Sequence, residues 1–530
     1  MKIKFLIVFF VVIWIGLIIR VYHLAVQSND YYQSLSEKNS IKSEMTPPVR
    51  GEILDRNLEP IAINELGFKI ALTPHLCKGD DCTRLDAEIA YLDKVIPNLD
   101  VKKMRKLYRQ TDSYYNHTYI DVVDFVPHEV IIPLYATLNL RDTIKISPSP
   151  KRQYPYGKIG AHLIGYVAKA NQKEIDNDEL LQLLGRVGKN GIEKYYNKYL
   201  EGKPGERLIK VNAHNVEIEQ LGVIPTRENR TLVLNLDMKL QDYIGKVFEN
   251  RVGAIVVMDT NGAIYAAGSY PEYDLNSFVN GISSGEWNSL MNSPDAPFTN
   301  KLINGLYPPG STIKTGLGLL YITSGKLNEY SSVTCTGSTK VGNRSFRCWK
   351  HDGHGQVEIK KAITQSCDDY FYKGSLQLGI DYIAKGLMRL GLGQKTGIDL
   401  PNEFIGTVPN RDWKFKRFKQ PWYQGETLNT SIGQGEFLAT PVQIARYTAL
   451  MATGYLPVPH IAKIIGNKPY NPKLYNVLSP TEKQKLPLIQ AAMKAVCNEP
   501  GGTAKGFIST HFPIAGKTGT GENAETEGIE

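Results

Sequence analysis

Residues 5–19, FLIVFFVVIWIGLII, form an unbroken apolar run behind Lys2 and Lys4, closed by Arg20 and the mixed segment VYHLAV. Such a run either stays in lipid or is removed after export, so it divides the chain before any other feature does. Its fifteen residues rise only about 22 Å as a helix, which is short for a span unless residues 21–26 join it. The competing reading is a cleaved signal peptide. Cleavage needs small residues, and no small-x-small site follows; the bulky Trp14, Arg20 and Tyr22 stand in the way. The expectation is an uncleaved single-pass anchor over residues 1–26, with Lys2 and Lys4 in the cytoplasm and the chain beyond Gln27 exported.

At 530 residues, the chain is too long for one ordinary core. Its formal net charge of +9 suits an anionic neighbourhood, such as phospholipid headgroups or carboxylate-bearing wall polymers. No Lys/Arg-dense arm and no nucleic-acid motif accompanies that charge, so nucleic acid is not expected as a partner. Residues 28–39 read as a polar helix, 47–64 as short strands around a turn at 55–57, and 92–108 as a lysine-rich helical region. The Gly-, Tyr- and Lys-rich stretch up to about 230 fits an exposed, elongated α+β module. At 231 the texture changes. TLVLNLDMKLQDYIGKVFE reads as a strand entering an amphipathic helix, and VGAIVVMDTNGAIYAAGSYP as an antiparallel hairpin around Asp-Thr-Asn-Gly. A mostly helical stretch continues to about 463. A hairpin ahead of a helical block that holds the reactive groups points to an α/β sandwich. The boundaries are 1–26, 27–230 and 231–530.

The reactive groups begin in YPPGSTIKTG, residues 307–316. Pro308, Pro309 and Gly310 form a rigid entry and Ser311 opens a helix. Ser311 and Lys314 stand three apart, so their heads can meet on one helix face. A lysine made neutral by burial or a neighbouring cation can take a hydroxyl proton, and the helix N-terminus offers N–H groups to an oxyanion. Alone, S-x-x-K equally describes a capped helix with a solvated lysine. Here Ser366-Cys367-Asp368 follows, ahead of an aromatic helix, and then Lys517-Thr518-Gly519-Thr520. S-x-x-K, S-x-N/D and K-T-G in that order are the signature set of penicillin-recognising serine acyltransferases.

With RGEILDRN, YPYGKIGAHLIGYV, GKNGIEKYYNKYLEGKPG, WKFKRFKQPWYQGET and SIGQGEFLATPVQIA, the chain resembles class B penicillin-binding proteins from the anchor to Thr520. Within that family it is most similar to the penicillin-binding protein 2 branch of the rod-shape elongation machinery, where Asp stands as Asp368 does. The resemblance implies a transpeptidase domain of the α/β sandwich type shared with serine β-lactamases, an antiparallel sheet plus a helical subdomain. It implies a dimerisation-like pedestal beneath that domain, with the catalytic part in the periplasm, beside the inner membrane. The implied reaction is D,D-transpeptidation of peptidoglycan, of the serine-type D-Ala-D-Ala carboxypeptidase/transpeptidase class, blocked by covalent β-lactams and needing no cofactor. Ser311 would attack the penultimate D-Ala carbonyl of a stem peptide, with Lys314 as base. Ser366 would relay a proton between Lys314 or Lys517 and the leaving amine, and Asp368 would fix substrate amides. Lys517 and Thr518 would hold the substrate carboxylate, while the N–H groups of Ser311 and Thr520 form the oxyanion hole. Gly519 would keep the strand edge open, and SIGQG at 431–435 reads equally as cleft lining or structural turn. No glycosyltransferase segment precedes the pedestal, so the implied partners are a RodA-type glycan polymerase and the scaffold MreC.

Six cysteines are too few for a disulfide scaffold. Cys77 and Cys82 either close a small loop or remain thiols. Cys335, Cys348, His354 and Cys367, spaced C-x12-C-x5-H-x12-C, suggest a tetrahedral Cys₃His zinc site. Some relatives hold zinc at matching positions with mixed Asp, His and Cys ligands. The alternative is a Cys335–Cys348 disulfide with Cys367 as a small buried residue. His351 is a neighbouring candidate, more readily a solvated side chain, and the basic aromatic run at 411–423 reads as a solvated face.

Two rivals remain for function. A serine β-lactamase or β-lactam sensor would share the motifs but lack an anchor and a long pedestal. A catalytically silent scaffold would have no need of intact Ser311, Lys314, Ser366 and Lys517. The sequence reading also expects a C-terminal truncation: two strands and a helix follow K-T-G in the family, so residues 514–530 are expected to run irregularly beside an incomplete sheet.

Overall fold

The computed structural model describes residues 2–27, 40–116, 118–178, 180–211, 217–226, 231–249, 251–507 and 511–521. The polar helix read at 28–39 and the tail at 522–530 lie outside the described residues. The N-terminal run is a helix, Lys2–Tyr22, continued by a π turn at His23–Gln27. Residues 21–26 therefore do join it. Ile3–Val26, 24 residues, is long and apolar enough to cross a membrane; at 1.5 Å per residue it rises about 36 Å.

The chain divides into two compact units. One comprises Met1–Gly51, Ala170–Gly185 and Glu201–Asn229. It holds an antiparallel sheet in the order Ile41–Thr46, Gly205–Val211, Glu217–Ile224 and a short helix, Gln172–Asn177, opened by an Asn171/Glu174 capping box.

The second unit comprises Glu52–Lys169, Arg186–Leu200 and Arg230–Glu530 and contains three hydrophobic cores of graded size and one small cluster. In the first core, strand Gly67–Leu72 lies between Ile120–Pro127 and Ile144–Pro148. Two helices, Thr83–Val95 and Val101–Thr111, bury Leu85, Ile89, Leu92, Met104 and Tyr108 against it. The lysine-rich helical region thus takes in the end of one helix and most of a second. Pro97 cannot continue a helix comfortably, Asn98 takes a left-handed φ of 61°, and Asp100 restarts the helix by accepting from the Lys103 N–H at 2.9 Å. Cys77 and Cys82 are joined in a disulfide just before the first of these helices.

The second core lies around a six-stranded sheet in the order Lys468–Pro469, Ala462–Ile465, Leu232–Leu234, Ile53–Leu54, Pro60–Glu65, Lys151–Gln153. This sheet takes strands from both sides of residue 230. The fully buried Asp399 anchors the start of the sheet's Ala462–Ile465 strand. Its carboxylate accepts from the Ile461 N–H at 2.7 Å, the Ala462 N–H at 2.9 Å and the Tyr196 hydroxyl at 3.0 Å. Beside it stands the expected hairpin, Gly253–Met258 with Ile264–Tyr270, its turn closed by Asp259 accepting from the Asn261 and Ala263 N–H groups at 2.9 Å each.

The third and largest core surrounds helix Lys314–Ile322, every residue of which is buried. Helices Ile359–Thr364, Asp368–Leu378, Ile380–Arg389, Pro441–Thr453 and Pro480–Asn498 wrap it. The helical reading of this region overlooked two small ladders, Val333–Cys335 with Gly355–Val357 and Ser338–Val341 with Arg344–Arg347. Among the described residues the hairpin joins no further strand, its one outside bridge being Ala263 to His460, and residues 513–521 form no strand. They are pinned instead by Gly516 donating to the Met493 carbonyl at 3.1 Å and by Asn498 Nδ2 donating to the Ile514 carbonyl at 2.8 Å.

Asp399→Ala strips a buried anionic acceptor from three donors, so unfolding free energy should fall by about 3 kcal/mol or more. Urea denaturation measures it. Loss of under about 1 kcal/mol would mean that the carboxylate does not anchor this strand.

Candidate active site

The turn before the buried helix is built on two glycines. Gly310 and Gly433 both take left-handed conformations, φ 56° and 75°, and the Gly310 N–H donates to the Gly433 carbonyl at 3.0 Å. A Cβ on Gly433 would collide with Gly310 backbone, and one on Gly310 would collide with the Thr520 carbonyl. Segment 431–435 is therefore the platform under the Ser311 turn. Its Gln434 Nε2 also donates to the Thr520 carbonyl at 2.9 Å. Ser311 lies in a 3₁₀ turn, Gly310–Ile313, and the α-helix proper begins at Lys314. The Tyr447 hydroxyl spans that junction: it accepts from the Gly316 N–H and donates to the Ile313 carbonyl at 3.0 Å.

Lys314 is fully buried. Its Nζ donates to Asp368 Oδ1 at 2.6 Å, to the Ser366 carbonyl at 3.0 Å and to Ser366 Oγ at 3.3 Å, and lies 5.5 Å from the centroid of the Phe371 ring. Ser311 Oγ has no hydrogen-bond partner among the described residues. The lysine head is thus drawn to the second motif rather than to the serine three residues before it, because a carboxylate and a carbonyl are stronger acceptors than a neutral hydroxyl.

Ser366 sits in the three-residue link between helices Ile359–Thr364 and Asp368–Leu378, with a left-handed φ of 52°. A non-glycine residue held there is strained, and such strain gathers at functional sites. Its hydroxyl faces both lysines: Lys517 Nζ is 2.9 Å away, against 3.3 Å for Lys314 Nζ. Burial and the neighbouring Lys314 charge lower the Lys517 pKa to about 7, with Asp368 opposing them. Lys517 also donates to the Thr518 carbonyl at 2.9 Å, and Thr518 Oγ1 meets Thr503 Oγ1 at 2.7 Å. A Cβ on Gly519 would stand 2.8 Å from Thr312 Cγ2, so glycine there admits the Ser311 turn. The structure brings together all eight motif residues named from the sequence.

The ligand atoms of Cys335, Cys348, His354 and Cys367 lie within 4.8 Å of one another, and all four residues are buried. His354 Nδ1 is 3.5 Å from Cys335 Sγ and 3.6 Å from Cys348 Sγ. Cys335 and Cys348 are not disulfide-bonded. Burial pushes the Cys335 thiol up, while a hydrogen bond from Cys367 pulls Cys348 down to about 5. The ladders supply Cys335 and flank Cys348 and His354; Cys367 caps helix Asp368–Leu378. His351 is exposed and outside the cluster.

Sequence reasoning missed several residues here. Asp369, fully buried, accepts from Thr339 Oγ1 and from Lys373 Nζ at 3.0 Å. Trp349 and Tyr447 were also missed; only the three-dimensional contacts single them out. In the basic run, helix Arg411–Phe418 exposes Lys416, Arg417 and Phe415, as a solvated face would. Lys414 departs from that face: it is buried and pairs with Glu426.

For Lys517 the folded state releases its proton near pH 7, whereas an unfolded lysine holds it to about 10.4, so the unfolded chain binds more protons in between. Stability contributed by this group should rise as pH climbs from about 7 to 10. Urea midpoints across that window should rise less steeply in Lys517→Met than in the parent chain. Parallel profiles would show that the site does not depress this lysine.

Residues 253–529 match the family model described as penicillin binding protein transpeptidase domain, and residues 45–234 that of the penicillin-binding protein dimerisation domain. The peptidoglycan D,D-transpeptidase MrdA of Escherichia coli is 33% identical over 531 residues, covering 96% of this chain and 81% of that protein. A solved complex between penicillin-binding protein PBP2 and MreC from Helicobacter pylori is similar at TM-score 0.84 and 43% identity, covering 91% of this chain and 89% of the matched chain. A structure described as the coordination of polymerization and crosslinking by a peptidoglycan synthase complex is similar at TM-score 0.70 and 27% identity, covering 99% and 89%. The chain belongs to the penicillin-binding protein transpeptidases, with the transpeptidase fold and the dimerisation pedestal of that family.

Proposed function

We propose that this chain is a peptidoglycan D,D-transpeptidase that cross-links the cell wall through an acyl-enzyme on Ser311. The observation that carries the reading is the Ser366 hydroxyl within hydrogen-bond reach of two lysines, the half-buried Lys517 and the buried Lys314, which stands one short turn from Ser311. Lys314 first passes a proton through the Ser366 hydroxyl to neutral Lys517. The Lys314 amine so freed takes the Ser311 hydroxyl proton as Ser311 Oγ bonds to the penultimate D-Ala carbonyl carbon. The C–N bond then breaks, and the leaving D-Ala amine takes a proton relayed through Ser366. An acceptor amine reverses these steps and receives the acyl group; water in its stead gives the carboxypeptidase outcome. The N–H groups of Ser311 and Thr520 face the oxyanion, a reading supported by the packing of Thr520 against Gly310. Lys517 and Thr518 bind the substrate carboxylate, and Asp368 locates the lysine and substrate amides.

The apolar helix acts as a single-pass inner-membrane anchor, with the catalytic unit in the periplasm. A RodA-type polymerase and MreC are the proposed partners, by similarity to the solved PBP2–MreC and peptidoglycan synthase complexes. The domain division at 26 and 230 belongs to the same reading. Cys335, Cys348, His354 and Cys367 fit zinc: three soft sulfurs and one imidazole nitrogen, buried and mutually close, are the donor set of a structural tetrahedral site. Such an ion would contribute folding free energy and no chemistry to the reaction.

A fluorescent penicillin should label the chain stably, and Ser311→Ala should abolish labelling in a protein of unchanged circular dichroism. Rapid loss of label would indicate a β-lactamase, and no label on the parent an inactive scaffold. Persistent labelling of Ser311→Ala would remove Ser311 as nucleophile.

Protein purified without chelator should carry about one zinc per chain, and Cys348→Ser should lose it together with thermal stability. Metal-free protein with a mapped Cys335–Cys348 disulfide would defeat the zinc reading.

A further inference from the structure

Lys314 is located by two acceptors, the Ser366 carbonyl and the Asp368 carboxylate, and both are also held from a second direction by one residue. The Trp349 indole N–H is shared between the Gln365 carbonyl at 3.0 Å and the Ser366 carbonyl at 3.1 Å. The Trp349 backbone N–H donates to Asp368 Oδ2 at 3.0 Å, leaving Oδ1 to the lysine. Trp349 is not a core filler: it is 55% exposed, and its ring meets the His354 ring edge to face at 5.4 Å. A large aromatic left this open, with its one polar atom spent on two backbone carbonyls, is held there for the hydrogen bonds.

We propose that Trp349 is a positioning residue for acylation: it fixes the strained Ser366 peptide and the Asp368 carboxylate so that Lys314 and the Ser366 hydroxyl stand in register. The left-handed Ser366 link is where such a clamp matters. That conformation costs energy and persists only where its surroundings over-determine it. The Ser366 carbonyl points at the lysine because the indole and the ammonium both donate to it. Without the indole, the link can relax and carry the hydroxyl with it. A displacement well under an ångström at such a group is enough to slow a reaction. Sequence neighbours reinforce the clamp, since Trp349 follows Cys348, and Cys367 separates Ser366 from Asp368.

This inference rests on the proposed roles of Ser311, Lys314 and Ser366, so the test begins with the parent chain and Ser311→Ala. Absence of Ser311-dependent labelling overturns the acyltransferase reading and the positioning role with it. Given that labelling, stopped-flow acylation of the full chain by a fluorescent penicillin separates non-covalent affinity from the acylation rate constant. Trp349→Phe keeps a ring beside His354 and removes the donor. A second variant carries β-(3-benzothienyl)alanine at position 349, which keeps the indole shape and lacks the N–H. Both should lose about tenfold in the acylation rate constant, the effect of about one such hydrogen bond. Affinity should stay within about twofold and Tm within a few degrees. An acylation rate at the parent level in the benzothienyl variant overturns the proposal. So does a loss of rate there matched by equal losses in affinity and stability, which a merely structural residue would give.

Discussion

An ammonium group with no solvent exposure stands at the centre of this site, and most of the surrounding architecture answers to it. Burying a charge is costly unless it is paired and its donors are used. Lys314 meets that condition with the carbonyl of Ser366, in the link, and the carboxylate of Asp368, at the start of the helix that follows it. A second lysine in the same pocket sharpens the problem. Burial of most of its side chain and the Lys314 charge beside it make a proton costly to keep on Lys517, and its pKa is brought to about 7. Lys517 can thereby exchange its proton near neutral pH, with the Ser366 hydroxyl within reach of both lysines. A group that exchanges its proton near neutrality is what a proton relay needs, and here it follows from burial and the neighbouring Lys314 charge, with Asp368 opposing them.

The rest of the fold keeps distant segments at backbone contact distance. Gly310, Gly433 and Thr520 are far apart in sequence yet meet with no room for a Cβ. Side chains there would push the serine turn off its platform, so the glycines set the register between the first motif and the third. The irregular run 513–521 is positioned from its flanks, through Thr503, Met493 and Asn498. Backbone carbonyls and hydroxyls hold it where a β-ladder would otherwise serve.

The sequence made the chemistry more legible than the scaffold. Ser311, Lys314, Ser366, Asp368, Lys517 and Thr518 each belong to a short motif whose spacing encodes local geometry, and that geometry is what sequence reports well. The strand-to-helix entry at 231 and the Asp259 turn were readable for the same reason. Contacts between segments were not. Nothing in SxxK reveals that Lys314 bonds to the second motif in preference to Ser311, because the choice depends on a carboxylate more than fifty residues on. The helix break at Pro97 was available locally but masked by the density of lysines around it. Lys414 looked like any other cation of its run; only its burial beside Glu426 sets it apart. The two ladders at 333–357 are three or four residues per strand, too short for period-two alternation to stand out.

Those ladders raise a physical question that the four-residue cluster answers. Pairs of strands this short are at best marginal by themselves, and they reach the helical core through few side chains, Cys335, Phe346, Cys348 and Val357 among them. Three of the four cluster residues lie in or beside the ladders, and the fourth, Cys367, is the cap of the helix that begins with Asp368. Whatever holds these side chains together also fixes the ladders to the second motif. Asp369 adds a second tether one residue further on, through Thr339 of the other ladder and Lys373 of the helix. The Ser366 link is therefore braced on its outer side by a small subdomain with little stability of its own, and on its inner side by a buried lysine. Local loosening of the ladders would reach the reaction through the position of one carbonyl and one carboxylate, with no change at Ser311 itself.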